Sequence, residues 1–136
     1  MKIALVVSDF NFEVTSLMLE RARRQAEFLG AEVSHIVHVP GVYDMPLIVK
    51  RLLGRNDVDG IALIGAVIKG DTKHDELIAG TTAAAAVDLA LQFNKPVGLG
   101  ITGPGMDRMQ AFDRIDNAKN AVDSVVWMLK LQKEPA

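Results

Sequence analysis

Four short apolar runs rich in β-branched residues alternate with four segments of helical period, and this alternation constrains the fold more than any single residue. The runs occupy 2–7, 32–39, 61–68 and 96–101. The first and third read as buried strands, the third central. The second alternates apolar and polar side chains, as an edge strand with one wet face does. Helical segments are expected at 12–29, 44–53, 75–92 and 108–133. In the first, Val14, Leu17, Met18, Ala22, Ala26 and Leu29 form one apolar stripe, and Gly30 supplies a stop. Pro46 is tolerated in the second because it falls in the first turn. The third holds Ala83–Ala86 in a row, which permits close packing against a sheet or another subunit. The fourth presents Val122, Val125, Val126 and Leu129, with a break expected near Asp116-Asn117. Strands alternating with helices predict a three-layer α/β/α architecture around a four-stranded parallel sheet with right-handed crossovers.

Composition removes several functions. With 17 acidic and 15 basic residues, the net charge of −2 offers no broad basic field for nucleic acid or an anionic membrane. Cysteine is absent, which excludes a disulfide framework, a thiolate nucleophile and Cys-ligated zinc. The 136 residues suit one domain, 1–136. Ser8, Asp9 and Asn11 end the first apolar run too early for a secretory leader, so a soluble cytoplasmic protein is expected.

In parallel sheets of this kind, ligands bind beyond the carboxyl ends of the strands. Chemistry is therefore sought in the loops at 8–12, 39–45, 68–75 and 101–108. Phe10, among polar residues, can stack on a planar ring or staple the helix start. Asp44 reads best as a helix cap, with a polyol acceptor as the alternative. The third loop, Gly65-Ala66-Val67-Ile68-Lys69-Gly70-Asp71-Thr72-Lys73-His74, opens a helix N-terminus suited to phosphate, without a Walker A ending. His74 can shuttle protons there or be a plain surface histidine. His35 and His38 read as structural. Arg114 and Lys119, taken alone, are solvated charges of the last helical segment.

Together these loops resemble lumazine synthase over nearly the whole chain. The resemblance rests on Asp9-Phe10-Asn11, on Val39-Pro40-Gly41-Val42-Tyr43-Asp44-Met45-Pro46, on the third loop above, and on Pro96-Val97-Gly98-Leu99-Gly100-Ile101-Thr102. The short form with Gly103-Pro104-Gly105 is similar to the archaeal branch. The resemblance implies a flavodoxin-like fold with strand order 2-1-3-4. It also implies condensation of 5-amino-6-(D-ribitylamino)uracil with 3,4-dihydroxy-2-butanone 4-phosphate, giving 6,7-dimethyl-8-ribityllumazine, phosphate and water, with no cofactor or metal.

Carried over residue by residue, the resemblance implies that Phe10 stacks on the pyrimidine. Asn11, Val42, Tyr43 and Asp44 line the ribityl pocket, Asp44 standing where the family has Glu. Val67 and Ile68 bracket the ring edge. Gly70, Asp71 and Thr72 meet the phosphate, Arg114 neutralises it, and His74 moves protons. Leu99 takes the place of an aromatic contributed by a neighbouring subunit, and Lys119 reaches the pyrimidine carbonyl. The family forms pentamers, often stacked further, with sites between adjacent subunits. A chain starting directly at strand one, without the leading segment that pairs with a neighbour's sheet, implies a pentamer and leaves further stacking undecided. Two rivals stay in view. One is a paralogous archaeal riboflavin synthase, and the other is a non-catalytic flavin- or nucleotide-binding module.

Overall fold

β1 (Lys2–Ser8) and β3 (Gly60–Ile68) run side by side through the middle of a four-stranded, all-parallel sheet. The computed structural model describes residues 1–70 and 73–134. β2 (Glu32–Val39) flanks β1 and β4 (Val97–Met106) flanks β3, so the order is β2-β1-β3-β4, as expected. Helices α1 (Phe12–Phe28), α4 (Arg108–Asp113) and α5 (Asp116–Lys133) cover one face. Helices α2 (Met45–Leu53) and α3 (His74–Phe93) cover the other.

Alternation along β1 divides its side chains between the two faces. Ile3, Leu5 and Val7 enter the core beneath α1 and α5, while Ala4 and Val6 enter the core beneath α2. β3 is buried from Gly60 to Val67, which explains its unbroken apolar run. Each fully buried Val, Leu or Ile side chain there contributes about 1.5–3 kcal/mol. At Gly98 a Cβ would stand 2.5 Å from the Ala121 carbonyl oxygen, so the missing side chain lets α5 lie directly on β4. No described helix is long and apolar enough to cross a membrane.

Three local expectations differ from the structure. Leu17 is 48% exposed, and Gln25 occupies the buried face of α1 with Val14, Met18, Ala22 and Ala26. Position 17 lies about 100° around the helix from 18, off the line of close contact. Gln25 is accommodated because its amide donates to Asp123 on α5. Second, the expected loop at 102–107 is largely strand. Ala66 pairs with Thr102 and Ile68 with Met106, so Gly103-Pro104-Gly105 forms a bulge and the ladder resumes beyond it. Glycine and proline signal bulges as well as loops. Third, the last helical segment breaks at Arg114-Ile115, two residues before the expected place.

Candidate active site

The carboxyl ends of β1 and β3 and the start of α3 surround a cleft of about 330 Å³. It lies where the chain leaves β1 for one side of the sheet and β3 for the other, the switch point at which such folds bind ligands.

Phe10 and Asn11 form one wall. Their loop continues the β1–β2 ladder past the strand ends. The Asp9 amide donates to the Val39 carbonyl at 2.8 Å, and the Phe10 amide to the Pro40 carbonyl at 3.0 Å. Phe10 is consequently held in place yet 72% exposed, and Phe12 is 63% exposed, so neither staples the helix. Asn11 adopts the left-handed conformation (φ 63), which asparagine tolerates. Its amide nitrogen donates to the Ala66 carbonyl at 2.9 Å, which leaves the amide oxygen for a ligand.

Val42 and Tyr43 lie on a short 3-10 turn (Val42–Asp44), and the Thr82 hydroxyl of α3 donates to the Val42 carbonyl at 3.3 Å. Val67 and Ile68 close the cleft from β3, followed by Gly70. His74 is exposed at the first turn of α3 and lines the same cleft. Asp71 and Thr72, expected at the phosphate, lie outside the described residues.

The family model for 6,7-dimethyl-8-ribityllumazine synthase matches residues 1–133. The chain belongs to that family. It is 55% identical to the 6,7-dimethyl-8-ribityllumazine synthase of Picrophilus torridus over 132 residues, 97% of each chain. It is 53% identical to the protein of the same name from Staphylothermus marinus, over 97% of this chain and 89% of that one. A third, from Methanococcus maripaludis, is 53% identical over 97% and 96%. Neither the riboflavin synthase nor the binding-module reading is favoured by these matches.

Against the lumazine synthase pattern, four expected residues stand apart from the cleft. Asp44 lines an adjoining groove with His38 and Pro40. Its carboxylate accepts from the Gly41 amide at 3.0 Å and makes no cap bond to α2, so it closes the preceding turn instead of capping the helix. Leu99 is 52% exposed on β4 and lines a separate groove with Ala79 and Pro104. Arg114 ends α4. Lys119 is paired to Asp123, one helical turn on, at 3.0 Å. None of the four lines the cleft.

The histidines of β2 prove to have carboxylate neighbours that the sequence did not reveal. His38 Nδ1 lies 2.9 Å from Asp9, and His35 Nε2 lies 3.7 Å from Asp57. Each meets one carboxylate. Among the described residues no group of three His, Asp or Glu side chains is placed to hold a metal. Arg55 donates to Asp57 at 2.8 and 3.0 Å and holds that carboxyl down at about 2, away from the cleft.

Sequence reasoning missed Gly41, Ala66, Asp75 and Ile78 as cleft residues. Three of these lack a functional side chain, so only their place in the fold reveals them. Asp75 carried a signal, but acids are common in the first turn of any helix.

Proposed function

We propose that this cleft is where the chain condenses 5-amino-6-(D-ribitylamino)uracil with 3,4-dihydroxy-2-butanone 4-phosphate to form 6,7-dimethyl-8-ribityllumazine. The observation that supports the placement is the convergence on one cavity of three separate loops, which bring Phe10 and Asn11, Val42 and Tyr43, and Val67, Ile68, Gly70 and His74. The pyrimidine stacks on the exposed Phe10 ring. The Asn11 amide oxygen and the Val42–Tyr43 turn take the ribityl chain, with Asp44 acting through the turn that it closes. Phosphate meets Gly70 and the free amides at the start of α3, aided by the Thr72 hydroxyl.

The chemistry suits such a site. The aromatic amine attacks the ketone and water leaves as the imine forms. Phosphate is then eliminated, the enol left behind becomes a ketone, and the second amine attacks that carbonyl, closing the ring as a second water leaves. His74 carries protons between these steps. Holding two substrates in register supplies much of the remaining rate.

A homo-oligomer is consistent with the family. The separation of Leu99, Arg114 and Lys119 from the cleft favours a pentameric ring in which a neighbour brings these three to the open side. Leu99 then covers the ring, Arg114 neutralises phosphate and Lys119 reaches the pyrimidine carbonyl.

The test follows lumazine absorbance and phosphate release with both substrates present and with each omitted. Equal amounts of lumazine and phosphate, formed only with both substrates, are expected. Folded protein that forms neither, or that converts supplied lumazine to riboflavin, overturns the proposal.

A further inference from the structure

Asp75 follows His74 in the wall of the cleft and is 6% exposed. A carboxylate so far from water needs hydrogen-bond donors. The Gly105 amide, thirty residues away in sequence, donates to Asp75 Oδ2 at 2.9 Å. Attraction to the helix dipole accounts for an acid at a helix start, but not for its burial or for a partner on another element.

That partner belongs to the β4 bulge, which is itself fixed to β3. Gly103, at φ +105, sits so tightly that a Cβ would collide with the Val67 carbonyl. Met106 accepts a hydrogen bond from the Lys69 amide at 2.7 Å. Lys69 and Asp75 flank the segment that contains His74. Both are therefore bonded to consecutive residues of β4, Met106 and Gly105.

We infer that Asp75 is a positioning residue: its bond to the Gly105 amide fixes the start of α3, and with it His74, against the Val67–Ile68 end of β3. The inference rests on the proposed role of the cleft. The bond depends on an oxygen in one place, not on a charge. Asp75→Asn keeps an acceptor oxygen there and loses the charge. Asp75→Glu keeps the charge and moves the oxygen. Asp75→Ala removes both.

In the condensation assay, kcat falls about 10- to 100-fold in the Glu and Ala variants, the loss expected from roughly an ångström of misplacement. KM for the pyrimidine substrate changes less than about twofold, because Phe10 and Asn11 are anchored separately. The Asn variant stays within about threefold of the parent. Hydrogen exchange at the Gly105 amide is slow in the parent and in Asp75→Asn and fast in Asp75→Ala. If Asp75→Ala does not fold, the Asn and Glu pair decides. An Asn variant as impaired as Glu overturns the inference, because charge is then what matters. Unchanged Gly105 exchange in a folded Ala variant also overturns it. A parent that forms no product overturns the functional reading alone, and Gly105 exchange then decides the clamp.

Discussion

At the scale of single residues, exposure and partners separate the roles. Phe10 is anchored through its backbone and free in its ring, the condition for stacking on a planar ligand. Phe10→Ala is expected to weaken pyrimidine binding by about 1–3 kcal/mol, measured by calorimetry with the pyrimidine alone. His74→Ala is expected to keep that affinity and lose about 10²–10⁴-fold in single-turnover rate. An unchanged rate removes His74 from the chemistry. That Phe10, Asn11, Val42, Tyr43, Val67, Ile68, Gly70 and His74 line one cleft was legible in the sequence, because the loops after the strands can be located from the alternation of elements. Asp44 and Asp75 were not, because their roles lie in backbone amides that only the fold brings near. A sequence shows a carboxylate but not its donor.

At the scale of elements, the alternation of strands and helices was readable because burial imposes it residue by residue. What was not readable came from contacts between elements. Gln25 takes a buried place that Leu17 was expected to share because Asp123 on α5 receives its amide. The Gly103–Gly105 bulge looks like a loop until β3 is laid beside it. Gly98 has the same character: Gly98→Val is expected to push α5 from β4 and destabilise the fold by about 1–3 kcal/mol or more in denaturant titration. The loop from α2 to β3 adds a pH term. Arg55 lowers Asp57 from an ordinary 3.8 to about 2 in the folded chain. A lowered carboxyl stabilises the fold above the unfolded value, and that contribution disappears as pH falls from about 4 towards 2. Asp57→Asn should thus be less stable than the parent near neutrality, with the gap shrinking as pH falls through about 2 and closing below it. A stability gap that does not close with acid contradicts this sign.

At the scale of the whole molecule, one chain presents a cleft at the β1–β3 switch point and, elsewhere, three residues to which the proposal gives roles in the same chemistry. Assembly is the proposed reason for their separation. The most direct measurement is complementation between two inactive variants, His74→Ala and Arg114→Ala, assembled together from equal amounts of each chain. If a neighbour completes each cleft through a head-to-tail interface, about a quarter of the sites in a random mixture combine an intact His74 with an intact Arg114. The account predicts that the mixture recovers activity well above the sum of its parents, approaching that fraction of wild type. A mixture no more active than the two parents added together places His74 and Arg114 in one chain's site, and contradicts the shared cleft.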